Sequence, residues 1–143
     1  MKKIATLLIS LVIILLSCLT VLADTPTAIS TEAELKSISA LGNYYLAKDI
    51  TLTGNFAPLP TFSGTLDGRG KTISGLKIST TAGSEKKVYC GLFQKLDGGT
   101  IKNLTLKDVD IEVSGGSSVY AGAIVGKIDS GSVFNCRVGG KIT

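Results

Sequence analysis

Hydrophobic and polar positions along this chain follow two different rules. From Ile4 to Leu22 the residues are almost continuously apolar, with only small polar residues and Cys18 as breaks. From residue 44 onward the apolar positions alternate with polar ones over short stretches, and glycines punctuate them. Alternation of that kind is the signature of half-buried β-strands. Between the two regimes lies "STEAELKSISALGN", where Leu35, Ile38 and Leu41 fall three apart. That spacing predicts one short amphipathic helix over residues 32–41. Thr31 and Glu34 stand at capping-box distance, and Gly42 or Asn43 suits a left-handed stop.

No second helical pattern follows. "YYLAKDITLTG" reads as strand, and the chain then repeats itself. "TISGLKI" (72–78), "TIKNLTL" (100–106) and "SVFNCRV" (132–138) share one pattern of apolar positions, their starts 28 and then 32 residues apart. On this alignment Ile73, Leu76 and Ile78 match Ile101, Leu104 and Leu106, then Val133, Cys136 and Val138. "VYCGLF" (88–93) matches "VYAGAI" (119–124), and "KLDGGTI" (95–101) matches "KIDSGSV" (127–133), which puts Asp97 over Asp129. Strand-type repeats of this length with glycine turns and no helices predict an all-β stack of coils, each burying its apolar face on the next. An open end of such a stack exposes strand edges, and the helix at 32–41 is read as its N-terminal cap.

"FSGTLDGRGKT" (62–72) ends as a phosphate-binding loop ends, in Gly-Lys-Thr. The glycine five residues before Gly70 is missing, because that position is Thr65 and Gly64 comes one residue too early. The residues after it are strand-formers rather than a helix start, so no nucleotide site is expected. Asp67-Gly68-Arg69-Gly70 is read instead as a corner or hairpin entering the first clear coil.

The apolar start sets the compartment. Lys2 and Lys3, the apolar run and "VLA" (21–23) lay out a secretory signal peptide cleaved before Asp24. An uncleaved anchor is the first alternative, and "LLSC" (15–18) as a lipoprotein site the second. Cleavage at Ala23 leaves 120 residues, enough for one domain, with 24–29 a linker and 30–143 the repeat domain. With Lys2 and Lys3 gone, 13 basic residues face 11 acidic, a net charge of +2. No basic stripe with interleaved aromatics is present, so nucleic acid is not an expected partner. Cys90 and Cys136 both sit in apolar patterns and are read as small core residues in preference to a disulfide.

The chain has no histidine and no tryptophan. Ser-His-Asp triads and HExxH zinc sites are thereby excluded. Asp97 and Asp129, with Lys95 and Lys127 beside them, are the one acidic pair the repeat aligns; they are read as turn residues rather than as a site. "KDVDIEV" (107–113) puts Asp108, Asp110 and Glu112 on one strand face opposite Val109, Ile111 and Val113, the pattern of a solvated face rather than a metal site. No catalytic, cofactor-binding or metal-ligating residue is assigned, and no cofactor is expected. "NLT" (103–105) is a glycosylation sequon, discounted because it lies on an expected inner strand and the leader looks bacterial.

"GNYYLAKDITLTG", "FSGTLDGRGKTISGLKI", "GLFQKLDGGTIKNLTLKDVDI" and "AGAIVGKIDSGSVFNCRVGGKI" together resemble the GLUG-repeat proteins of bacterial surfaces. Those repeats also occur in the non-catalytic N-terminal parts of immunoglobulin-A-cleaving metallopeptidases. The resemblance covers about residues 28–143 and departs from the name motif at "GLFQ" (91–94). It implies a right-handed parallel β-helix or similar solenoid, exported and used in adhesion or as a stalk, with no catalytic residues in this part. The expected role is a secreted or cell-surface module that binds an extracellular glycan or protein. The alternatives are a polysaccharide-active β-helix enzyme and a structural spacer or fragment. "GGKIT" (139–143) stops within a repeat, so the chain is expected to continue or to self-associate through an open C-terminal edge.

Overall fold

The computed structural model describes residues 24–143, so the leader reading of residues 1–23 lies outside the described part. Fourteen strands and one five-residue helix make it up, and every strand pairing is parallel. The chain visits four sheets in turn and returns to the first. In the third pass β4 (Thr65–Asp67) lies in the first sheet, β5 (Thr72–Ser74) and β6 (Lys77–Ala82) in the second, β7 (Lys87–Cys90) in the third and β8 (Phe93–Leu96) in the fourth. The fourth pass repeats this with β9 (Gly99–Lys102), β10 (Thr105–Gly115), β11 (Ser118–Ala121) and β12 (Val125–Ile128). β13 (Gly131–Phe134) and β14 (Arg137–Ile142) begin a fifth. Earlier passes supply β1 (Thr27–Ile29), β2 (Asn43–Leu46) and β3 (Ile50–Thr51).

The register shows why alternation in sequence becomes burial. Tyr44, Leu66, Ile101 and Val133 stand in one row across β2, β4, β9 and β13. Ile50, Ile73, Leu106 and Val138 make a second row, and Ile78, Ile111 and Ile142 a third. Within each row an inward side chain rests on its equivalents one pass away, about 4.8 Å along the stack. Leu66, Ile73, Ile101, Leu106 and Ile111 are fully buried. Phe62 and Phe93 add a ring stack at 4.8 Å. In the last pass Val138 and Ile142 occupy the same inward rows yet remain about half exposed, because no further described strand lies on them.

Three readings from the sequence change. The first repeat alignment is displaced: Thr72–Ser74 pairs with Thr105–Lys107, and Lys77–Ile78 with Asp110–Ile111. "TISGLKI" therefore lies on "TLKDVDI" (105–111), and it is Thr65-Leu66 that matches Thr100-Ile101. The apolar pattern occurs twice in the fourth pass, at 100–106 and at 105–111, which made both alignments fit. The later alignment of 100–106 with 132–138 holds, as do Val88 over Val119 and Lys95 over Lys127, while Phe93 meets Val125 rather than Ile124. Second, the linker of 24–29 contains β1, whose Ile29 is buried. Third, the helix α1 is Glu32–Lys36 and ends at Ser37, not at Gly42. Its capping box forms as read, with Glu34 N–H donating to Thr31 Oγ1 at 3.2 Å and Glu34 Oε2 accepting from Thr31 N–H. Leu35 is fully buried and Ile38 packs partly on the core, but Leu41 is 77% exposed, so the apolar stripe stops one turn early.

Candidate functional site

The corner between the first two sheets is built from local backbone requirements. β4 and β5 belong to different sheets, so Gly68–Lys71 is a corner, not a hairpin. Lys71 N–H donates to Gly68 O at 2.8 Å and closes the turn, while Arg69 and Gly70 both take positive φ, 49° and 74°. Gly70 adopts that conformation without steric cost. One pass on, the corner is two residues shorter and Asn103 alone takes positive φ (54°); Asn135 does so in the next (51°). Asparagine is the side chain that best tolerates this region after glycine.

These corner residues bond to one another along the stack. Asn135 Nδ2 donates to Asn103 Oδ1 at 2.6 Å, and Asn103 Nδ2 donates to Asp67 Oδ1 at 3.0 Å. Asp67 Oδ1 also accepts the Arg69 N–H at 2.9 Å, and Lys102 Nζ stands 3.7 Å from its other oxygen. Partial burial alone would raise the Asp67 carboxyl. The bonds from Asn103 and Arg69, with the charges of Lys102 and Arg69, outweigh it and hold the group below the ordinary aspartate range.

Two open cavities meet here. One of about 390 Å³ is lined by Arg69, Gly70, Asn103, Thr105, Asn135 and Arg137. The second, about 250 Å³, includes Tyr45, Asp67, Arg69 and Lys102. The outward row beside them runs Tyr45, Asp67, Lys102, Phe134. The Arg69 guanidinium carbon lies 3.4 Å from the Tyr45 ring centre, a cation–π contact. Phe134 is 51% exposed at the other end of the row. The arrangement offers planar apolar faces, amide groups and guanidinium donors on one rigid surface, which is equipment for holding a ligand.

Of the residues singled out from sequence, Asp67, Arg69 and Gly70 stand at this corner, and the other acidic and cysteine candidates fall elsewhere. Asp97 and Asp129 do come one above the other, but each is used locally. Asp97 accepts from Ser130 Oγ at 2.8 Å, and Asp129 pairs with Lys127, which lowers the carboxyl and raises the ammonium. Asp108 leaves the row of Asp110 and Glu112: it has φ 53° at a bulge where the β10–β14 register shifts. Asp110 faces Lys141 at 3.4 Å, while Val109 and Ile111 are buried opposite, as the alternation predicted. No group of three or more potential metal ligands gathers among the described residues. The Gly70-Lys71-Thr72 end opens strand β5, and Thr72 N–H donates to Asp49 at 2.8 Å. Cys90 and Cys136 are free thiols, the first buried and the second half-buried against the core.

A second outward feature lies on the third sheet. The rings of Tyr89 and Tyr120 stack at 5.0 Å, in register across β7 and β11, with Lys95 Nζ 4.5 Å from the Tyr89 ring centre. The corner asparagines had a sequence signal that went unused: "TIKN" and "SVFN" place an Asn at the same step of two repeats.

No protein-family model matches the chain, and no solved structure matches it. Among curated proteins, halomucin of Haloquadratum walsbyi is 34% identical over 116 residues. The match covers 70% of this chain and 1% of halomucin, so the chain spans about one hundredth of that relative's length.

Proposed function

We propose that the chain is an exported, non-catalytic recognition module of the cell surface. In this reading it is a right-handed β-solenoid of GLUG type, with Glu32–Lys36 covering its N-terminal end. It binds an extracellular glycan or protein, and a glycan is the better fit. The observation that carries this is the corner surface where the two cavities meet at Arg69, with Tyr45 and Phe134 in its outward row. Rings take the apolar face of a sugar, while amides and guanidinium groups take its hydroxyls. The all-parallel stack supports the solenoid reading, because it repeats outward rows at a fixed rise and suits an extended polymer. The likeness to halomucin accords with a surface-associated protein. Its confinement to a hundredth of that chain also favours a second reading, one module of a long surface architecture.

The test is a glycan array together with a panel of matrix proteins, probed with the purified protein and with Tyr45→Ala and Phe134→Ala. Binding to a defined glycan that both substitutions weaken supports the reading. Silence across the array and the panel, from a protein with an intact melting transition, refutes it.

A further inference from the structure

The charges at the corner do not balance. Arg69, Lys102 and Arg137 line the two cavities, and among the described residues Asp67 is the only carboxylate in their lining. Lys102 is the cation that faces it, at 3.7 Å. Neither guanidinium is ion-paired among the described residues. Asp67 Oδ1 accepts from Asn103 and from the Arg69 N–H, Lys102 stands by its other oxygen, and no ion pair joins Asp67 to Arg137 among the described residues. Arg137 begins β14 in register with Thr105, and its neighbour Val138 is the inward residue, so the arginine stands on the outer side. Arg69 and Arg137 lie two passes apart, roughly 10 Å along the stack. Asn103 and Thr105, shorter side chains on the pass between, form the floor of the larger cavity.

We infer that the ligand of this corner is an acidic saccharide whose carboxylate or sulfate groups are taken by Arg137 and Arg69. The inference rests on the glycan reading above and names the class of glycan. A guanidinium presents a planar fork of donors that matches an oxyanion in two bonds, and it stays charged at any physiological pH. In the Asn135–Asn103–Asp67 chain each amide donates toward Asp67, which leaves the Asn135 carbonyl oxygen to accept from a sugar hydroxyl. Thr105 supplies a hydroxyl beside it. A site with two guanidinium groups outside any ion pair among the described residues, an amide and a hydroxyl selects for a chain that carries negative charge and hydroxyl groups together.

The purified protein is titrated calorimetrically, at physiological salt, with four probes of matched length: an oligogalacturonate, a dextran sulfate oligomer, a neutral dextran oligomer and single-stranded oligothymidylate. Binding of the carboxylated or the sulfated saccharide, and of neither control, is expected; which of the two binds tighter identifies the anion. Arg137→Gln is expected to weaken that binding about tenfold, the loss of one charge-assisted bond. Arg137 is exposed, so this variant should melt like the parent, and melting curves check that it does. Equal binding of neutral dextran, or an unchanged affinity in Arg137→Gln, overturns the inference while leaving glycan recognition standing. Equal binding of the oligothymidylate overturns it too, by reducing the corner to bulk attraction for polyanions. Failure of every saccharide, with the protein folded, overturns the inference as well, while the glycan reading stands or falls with the array.

Discussion

Asn135 and Asn103, thirty-two residues apart in sequence, are joined by a side-chain hydrogen bond of 2.6 Å, and both hold a left-handed backbone. Asn103 is the middle of three corner residues, since it also donates to Asp67. Its replacement therefore strands a partner on each side. Asn103→Ala should destabilise the protein by about 2–3 kcal/mol, combining lost hydrogen bonds with a backbone conformation that a Cβ without a local bond resists. Asn103→Gly removes the same bonds but accepts positive φ, so it should cost about 1 kcal/mol less. Urea unfolding of the two variants checks the order; a more stable alanine variant would refute this account of the corner.

Acid should loosen the same corner. The Asp67 carboxyl is held below its ordinary range in the fold, while in the unfolded chain it titrates as a free aspartate. Between those two values the unfolded state binds the extra proton. The stabilisation is thus complete above about pH 5 and fades as pH falls through the folded value. Asp67→Asn removes that dependence. The stability difference between parent and Asp67→Asn, measured by denaturation from pH 6 to pH 2, should shrink as acid is added. A difference that stays constant would mean that the carboxylate charge is idle.

Much of this architecture was legible, and the reasons differ by element. Alternation identified the strands of the third and fourth passes because burial there follows the pleat directly: Val109 and Ile111 go in, Asp110 and Glu112 go out. The capping box of Thr31 and Glu34 was legible because it is a purely local bond pattern. The register of "TISGLKI" was not, since the same apolar spacing recurs at 100–106 and at 105–111 and only inter-pass pairing decides between them. The corner site was least legible. It joins Tyr45, Asp67, Arg69, Asn103 and Arg137 from four passes, and apart from the repeated step of Asn103 and Asn135 no spacing along the chain expresses that adjacency.

Burial also sets a gradient of stability along the stack. Leu106 and Val138 occupy one inward row, but Leu106 is fully buried and Val138 is 50% exposed. Leu106→Ala should cost about 2–5 kcal/mol, the range for a large core truncation. Val138→Ala should cost less than about 1 kcal/mol in the chain as described. Thermal and urea melts of the pair test this. An equal loss for Val138→Ala would show that its face is covered in solution.

The two thiols should differ in reactivity. Burial pushes the Cys90 thiol up, which suppresses the thiolate that alkylating reagents require. Cys136 is half-buried, its Sγ 3.3 Å from Phe134 O. Iodoacetamide at neutral pH should label Cys136 first, with Cys90 following only on unfolding. Peptide mass analysis over a time course reads the order, and early labelling of Cys90 would contradict its placement in the core.

Gly131 and Gly139 are both exposed glycines near the last strands, yet they should respond oppositely to the same substitution. Gly131 stacks on Gly99 at φ 107°, and a Cβ built there would lie 2.2 Å from the Gly99 carbonyl oxygen. That oxygen belongs to the backbone of the neighbouring strand, so it can move only by opening the β9–β13 ladder. Gly131→Ala should therefore cost about 2–3 kcal/mol, from the combined strain of a disfavoured backbone and a displaced strand. Around Gly139 no atom lies within 4 Å of the added Cβ, and its φ is outside the left-handed range. Alanine there restricts the unfolded chain without touching the fold, so Gly139→Ala should be neutral or stabilising by up to about 1 kcal/mol. Chemical denaturation of the two variants beside the parent decides the matter: equal effects would mean that β13 does not stack on β9 in this register.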